Sequence, residues 1–247
     1  MTTHQFFIKR SQIDADGIVT LEGSDARHIR LVLRLKRHSS IRLVDEERNL
    51  HMASVEKVAG SKVLARIVKS DEKAPASARL TVVQGIPKLP KADTIMQKLT
   101  ELGVEKIVFV PAERSPYTNA YDRLSGRLDR LKKIAEAAAK QCSRKDIPGI
   151  AVCAGLKAAA RSLAPGTILL VADEKTGGGT LRERLQGTDE KSPVAVFIGP
   201  EGGFSGREAR LLEKAGAASF SLGRNILRTE TAAIVAASII LYEMGDI

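Results

Sequence analysis

The sequence predicts an α/β protein in two parts: a small β-rich domain over residues 1–72 and a larger domain over 73–247 built on a parallel sheet. Three observations carry this reading. Residues 5 to 70 contain mostly short β-like runs. The stretch "SDEKAPASAR" at 70 to 79 is charged, small and proline-containing, as a linker is. Beyond it, apolar runs alternate with helical segments. That alternation yields a parallel sheet covered on both faces, because each crossover between parallel strands returns through a helix.

In the first part the runs "QFFIK", "GIVTLEG", "SIRLVDE", "LHMASVEKV" and "KVLARIVKS" are strand candidates separated by turn-forming or charged residues. One helix is expected among them, "SDARHIRLVLRLK", with Ser24 as its cap and Ile29, Val32 and Leu33 as its apolar face. His28, Arg30, Arg34, Lys36 and Arg37 give that helix a basic surface. In the second part the strand candidates are "LTVVQGI", "KIVFVPAE", "IAVCA", "TILLVADE", "VAVFIG" and "ASFSLG". Between them lie helices in "KADTIMQKLTELG", from Asp122 to Arg144, in "KAAARSL", "TLRERL" and "SGREARLLEKAG", with a last one from Thr229. The Asp122–Arg144 helix places Leu124, Leu128, Leu131, Ala135, Ala138 and Cys142 on one stripe, with Arg123, Arg127, Arg130 and Lys133 off it. Its extension "KQCSRKDIP" adds Lys140, Arg144 and Lys145.

Composition narrows the function. The chain of 247 residues is 43% hydrophobic, enough for a buried core, and carries a formal net charge of +10 with no acidic block to balance it. A polyanionic partner, nucleic acid first, is the expectation. Cys142 and Cys153 lack CxxC spacing and lie far in sequence from His4, His28, His38 and His51, so neither a metal site nor a disulfide framework is expected. "MTTHQFFIKR" has no apolar signal core, and "AAIVAASIIL" is shorter than the roughly 20 residues that span a bilayer. A cytoplasmic protein with no membrane partner is expected.

Two loops concentrate the chemistry, both at expected strand ends, where ligands sit in open α/β sheets. "FIGPEGGFSGRE" follows an apolar strand and precedes a helix capped by Ser205 with Glu208 three residues on. Gly199, Gly202 and Gly203 either let the chain turn or let backbone approach a ligand. Phosphate is a poor ligand here: GxxxxGK[ST] and GxGxxG are absent, and Glu201 repels an anion. A carboxylate suits a ribose hydroxyl or a cationic ligand. "LGRNILRTETAA" offers Gly223 for a turn, Ile226 and Leu227 as apolar walls for a flat ring, and Arg228, Thr229, Glu230 and Thr231 at a helix entrance. Together the loops suggest a nucleoside-like pocket. A third segment, "ADEKTGGGT", contains Asp173, Glu174 and Lys175 but reads more simply as a flexible connection. The larger domain contains no histidine, which excludes His-based acid–base or nucleophilic catalysis from its own residues.

These two loops, "FIGPEGGFSGRE" and "SLGRNILRTETAAIVAAS", resemble the paired signature of the RsmE family, S-adenosylmethionine-dependent methyltransferases acting on N3 of a uridine in 16S ribosomal RNA. "KADTIMQKLTELGVEKI", "AERSPY", "KQCSRKDIP" and "RHIRLVLRLK" extend the resemblance over nearly the whole chain. Two places depart from the family pattern. Lys140 stands where glutamate is usual, and "SSIRLVDEERN" is looser than the family's turn with an aspartate and glycine.

The resemblance implies a SPOUT-type α/β domain with a parallel sheet and a deep trefoil knot, an N-terminal PUA-like β-barrel, and a homodimer in which the apolar C-terminal helix meets the core and the partner subunit. It implies S-adenosylmethionine as cofactor, held by Gly199, Pro200, Glu201, Gly202, Leu222, Gly223, Ile226, Leu227 and Thr231. Arg228 is expected to stabilise negative charge developing on the uracil, and Glu230 to position Arg228 or take the N3 proton. Arg10, Arg30, Arg34, Arg37 and Arg144 are the expected contacts to 16S ribosomal RNA, within the small subunit. A related SPOUT enzyme acting on transfer RNA or a ribose 2′-hydroxyl would keep similar loops, though not the full-length match. A non-catalytic RNA-binding assembly factor would differ by failing to bind the cofactor, and a dinucleotide oxidoreductase is disfavoured by the missing glycine fingerprint.

Overall fold

The structure, a computed structural model, describes residues 3–71, 79–173, 179–189 and 192–247. The expected domain boundary at 72/73 and the segment Glu174–Gly178 lie outside the described residues. Contacts divide the chain into two compact units, one of Met1–Ala76 with Ala139–Asp146, the other of Ser77–Ala138 with Ile147–Ile247.

In the first unit β1 (His4–Phe7), β2 (Ile18–Leu21), β3 (Ser40–Val44), β4 (Leu50–Ala59) and β5 (Lys62–Asp71) form one sheet in the order β1-β3-β4-β5-β2. Only the β1–β3 pair is parallel. Phe6, Val19, Leu21, Ile41, Leu43, Ala53, Val55, Val63 and Ala65 join in one buried cluster. Their period-two spacing is what turns one face of each strand inward. The helix expected behind a Ser24 cap begins two residues earlier, as α1 (Gly23–Arg27) with Glu22 in the N-cap position and no side-chain cap, and then widens into a π-helical turn over His28–Leu33. The wider turn changes the angular step between side chains. Ile29 is therefore buried and Leu33 packs on the core, but Val32, expected on the apolar face, is 66% exposed. Arg34 ends the turn with φ 51°.

The loose segment after β3 is organised by Asp45. Its Oδ1 accepts the backbone N–H groups of Glu47 and Asn49, both at 2.9 Å, and its Oδ2 accepts from the Asn49 side chain at 2.8 Å. Lys140, the departure from the family pattern, has a structural partner: its Nζ lies 2.7 Å from Asp25 Oδ1 and 5.6 Å from the centre of the Phe6 ring.

The second unit contains β6 (Leu80–Gly85), α2 (Leu89–Leu102), β7 (Lys106–Val110), α3 (Ala120–Ser125), α4 (Leu128–Gln141), β8 (Gly149–Val152), α5 (Leu156–Arg161), β9 (Ile168–Ala172), α6 (Leu181–Leu185), β10 (Val194–Ile198), α7 (Gly206–Lys214), β11 (Ala218–Phe220) and α8 (Thr229–Glu243); the far end of α4, from Ala139, groups with the first unit. All the pairings of its sheet are parallel, in the order β11-β9-β10-β6-β7-β8. β6 and β10 are buried at every position, as expected of central strands covered on both faces. One cluster joins the sheet to α2, α6 and α8 through Ile95, Leu99, Leu181, Ala236 and Ile240. The other joins it to α5 and α7 through Leu156, Ala159 and Leu212.

The single helix expected from Asp122 to Arg144 is two, α3 and α4, parted at Gly126, where a residue without Cβ favours the helical state least. Its basic side is largely engaged within the fold. Arg127 and Arg130 share Asp93 Oδ2 at 3.2 and 2.9 Å, and Arg123 lies over the Tyr117 ring at 4.9 Å.

Candidate active site

The carboxyl ends of β6, β9, β10 and β11 converge where the strand order doubles back, with β10 between β6 and β9. A cavity of about 270 Å³ opens there, lined by Ala172 and Asp173 after β9, Ile198–Glu201 and Gly203 after β10, Ser221–Gly223 and Asn225–Thr229 after β11, and Lys91 and Ala232 from helices. The two loops singled out in the sequence are thus two walls of one cavity. It collects Gly199, Pro200, Glu201, Leu222, Gly223, Ile226, Leu227 and Arg228. Gly202, Glu230 and Thr231 do not line it.

The glycines of the first loop serve the packing of the loop itself. A Cβ on Gly199 would stand 2.8 Å from Gly203 Cα, and one on Gly202 would stand 2.9 Å from Arg114 Cβ. Arg114 donates through a guanidinium nitrogen to the carbonyls of Gly202 at 3.0 Å and Phe204 at 3.4 Å. Gly202 therefore belongs to the seat of Arg114 rather than to the cavity wall. Ser205 caps α7 as expected, accepting from Glu208 N at 3.2 Å, while Glu208 accepts from Ser205 N at 2.8 Å and from Glu113 N at 2.9 Å. One buried carboxylate thus fixes the start of α7 and ties it to the segment after β7.

The second loop is joined to the first at Thr229. Its hydroxyl donates to Gly199 O at 2.6 Å and accepts from Gln84 Nε2 at 2.9 Å. Gln84, fully buried at the end of β6, also donates to Gly85 O at 2.9 Å and Gly199 O at 3.2 Å. Ile226 is 78% exposed on the rim and Leu227 is half-buried.

Electrostatics centre on Lys91, in the first turn of α2. Its ammonium lies 3.0 Å from Glu230 Oε2 and 3.5 Å from Glu201 Oε1, and Glu201 Oε1 also accepts from Lys88 N at 3.1 Å. Burial pushes the Glu230 pKa up, but its own backbone N–H, Lys91 and the field of Arg228 outweigh that and hold it below the ordinary glutamate value. Arg228, the N-cap residue of α8, is exposed and has no carboxylate within ion-pair distance among the described residues. The expected pairing of Glu230 with Arg228 is therefore replaced by pairing with Lys91.

The sequence reading missed Gln84, Lys91 and Asn225, and gave Asp173 and Thr229 no binding role. Lys91 had a signal in the lysines opening the expected helix "KADTIMQKLTELG", but nothing local pointed to two glutamates more than 100 residues away. Of the arginines expected to meet RNA, Arg30, Arg34 and Arg37 are exposed, with Arg30 donating to Gly60 O. Arg10 is exposed and pairs with Glu47 at 2.9 Å. Arg144 requires correction. Its side chain is only 7% exposed and pairs with Asp146, while its carbonyl accepts from the buried Gln5 at 2.6 Å. A guanidinium so enclosed is spent on the fold and not offered to a phosphate.

The sheet carries, at its carboxyl edge, a cavity walled by two loops that are hydrogen-bonded to each other, and comparison with known proteins gives the class. The chain belongs to the RNA methyltransferase domain family, whose model matches residues 74–241. Within that class it is similar to the ribosomal RNA small subunit methyltransferase E of Bacillus subtilis, at 25% identity over 97% of this chain and 96% of that one. The enzyme of the same name from Mycobacterium bovis is 28% identical over 90% of this chain and 86% of its own. Among solved structures, ribosomal RNA small subunit methyltransferase E from Neisseria gonorrhoeae bound to S-adenosyl methionine matches with TM-score 0.84 at 25% identity, covering 98% of both chains.

Proposed function

We propose that the chain is an RsmE-type enzyme that transfers a methyl group from S-adenosylmethionine to N3 of a uridine in 16S ribosomal RNA. The observation that carries this reading is the cavity itself: apolar walls from Ile198, Leu222, Ile226 and Leu227 face the carboxylates of Asp173 and Glu201, with Arg228 on the lining. Its residues fit an adenosyl sulfonium. The apolar walls suit a purine ring, backbone groups of residues 221–227 suit its edge, and the carboxylates suit ribose hydroxyls. The volume of about 270 Å³ is close to the ~300 Å³ lower end of small-ligand sites. Gly199, Pro200, Glu201, Leu222, Gly223, Ile226 and Leu227 are the cofactor contacts, joined by Asp173 and Thr229.

When bound, the sulfonium supplies an activated methyl group and leaves as a neutral thioether. The chain's own residues then have two tasks, alignment and stabilisation of charge. Arg228, exposed and with no carboxylate at ion-pair distance among the described residues, would face the uracil and offset the negative charge that grows on the ring as its N3 proton departs. Glu230, ionised and held by Lys91, organises the helix entrance below Arg228; its lowered pKa makes it a weak proton acceptor.

Several further features belong to the same reading. The trefoil knot follows from the family resemblance, and the Thr229–Gly199 hydrogen bond brings together the two loops that such a knot would contain. The PUA-like barrel is supported by the compact five-stranded first unit, whose exposed Arg30, Arg34, Arg37 and Arg10 would hold RNA phosphates. The homodimer is supported by α8, whose residues 232–241 are apolar but for Ser238 and which carries Tyr242 at 64% exposure. The site of action is the cytoplasm, where ribosomal subunits are assembled. Equilibrium dialysis with labelled S-adenosylmethionine tests the cofactor site: saturable 1:1 binding is expected, and no binding at millimolar cofactor would contradict it.

A further inference from the structure

A second cavity, of about 600 Å³, lies on the other side of the sheet from α8, between α5 and α7. Helical spacing builds it. Lys157, Ala160 and Arg161 stand one turn apart on α5, and Arg207, Arg210, Leu211 and Lys214 share one face of α7. The alanines of α5 keep its inner face small, so the two helices approach over Leu156, Ala159 and Leu212. The rim carries five cations and no carboxylate, above a floor of Leu169, Leu211, Ala160 and Ala215. Among the described residues the one acid in ion-pair contact with any of them is Glu113, 4.0 Å from Arg207 and itself half-exposed. Like charges one turn apart cost a helix a few tenths of a kcal/mol each, so this arrangement does not serve stability.

We infer that this cavity is a second RNA-binding site, one that takes the ribose–phosphate backbone of the substrate flanking the target nucleotide. The inference rests on the RNA methyltransferase reading and extends it. From Arg207 to Lys214 the cations span seven residues of α7, about 10 Å, enough to meet more than one phosphate of a nucleic-acid strand. The apolar floor accepts sugar or base surface that a point-charge site for a free anion does not need. The site also adjoins the chemistry: Arg207 lies four residues after Gly203 of the first cavity, so their backbones are at most about 14 Å apart. RNA leaving the methyl-donor cavity across the start of α7 would pass Arg207, the first of these cations on α7.

The test compares Arg161→Glu/Arg210→Glu with Lys132→Glu/Lys133→Glu, a control of equal charge change on the exposed face of α4. Filter binding of unmodified 16S RNA is measured across a salt series, alongside S-adenosylmethionine binding to verify the fold. The cavity variant is expected to bind RNA at least tenfold more weakly than the control near 0.1 M salt, with a log–log salt slope shallower by about 1.5, two phosphate contacts' worth. Equal affinity and slope for cavity variant and control, while the unsubstituted chain binds RNA, would overturn the inference alone. Such equality together with selective loss of binding to polyglutamate would overturn it in favour of an acidic protein partner. If the unsubstituted chain binds no RNA, the functional reading falls and this inference with it.

Discussion

Lys91 Nζ stands 3.0 Å from Glu230 Oε2, and the same ammonium lies 3.5 Å from Glu201. One cation on α2 thus holds a residue of the first loop and a residue of the last helix, the two segments that enclose the cavity. Lys91→Met leaves two carboxylates facing each other without a counter-charge. Charge-assisted hydrogen bonds contribute about 1.5–3 kcal/mol, so S-adenosylmethionine affinity is expected to fall at least tenfold. Titration calorimetry checks this; unchanged affinity would mean that the loops hold their shape without the lysine.

The same pair sets an acid dependence. Glu230 and Asp45 both have folded-state pKa values below their ordinary ones, in Asp45 because hydrogen bonds from Asn49, His51 and Glu47 outweigh burial. A lowered folded pKa gives stability that is fully present above the unfolded value, near 4, and lost as the pH falls through the folded value. Unfolding free energy contributed by these groups is therefore expected to be flat from pH 6 to 8 and to decline below about pH 4. Urea denaturation at stepped pH, repeated on Glu230→Gln and Asp45→Asn, should show a shallower acid decline in each variant.

Arg228→Ala is expected to lower turnover by about 10²- to 10³-fold, the loss typical of removing one charge-stabilising donor, while cofactor affinity stays within a few fold. Retained turnover would remove Arg228 from the chemistry.

Gly199→Ala drives a methyl group to 2.8 Å from Gly203 Cα, and Gly85→Ala drives one to 2.5 Å from Pro200 Cδ. Overpacking of this kind costs about 1–3 kcal/mol, so both variants are expected to melt several degrees lower and to bind cofactor poorly. Gly206→Ala, whose nearest neighbour is the far end of Arg210 at 3.6 Å, is the matched control and should melt near the unsubstituted chain.

Charge reversal at Arg34 and Arg37, both exposed on the first unit, is expected to weaken RNA binding and to flatten its salt dependence. Equal RNA affinity across the salt series would take the first unit out of substrate binding.

Much of the fold was legible because parallel strands covered on both faces are continuous apolar runs, as in "VAVFI", and because Ser205 and Glu208 mark a helix start with their own side chains. The two loops were legible as a site because both fall at strand ends. What the sequence hid was of two kinds. Local geometry departed from ideal periodicity at the π-helical turn that exposes Val32 and at Gly126, which divides a helix that the apolar stripe alone runs straight through. Long-range partnership hid the rest: Lys91 with Glu201 and Glu230, Gln84 with Thr229, and Arg144 with Gln5 meet only once the chain has folded. A charged residue's letter does not say whether its charge is spent inside the fold.

The central claim is methyl transfer to uridine N3, and it is tested most directly by incubating the chain with labelled S-adenosylmethionine and unmodified small subunits or their 16S RNA, then digesting the RNA and identifying the labelled nucleoside. The account predicts label in 3-methyluridine at a single position, absent with Arg228→Ala. Label in a 2′-O-methylated nucleoside, or none with either substrate, would contradict it.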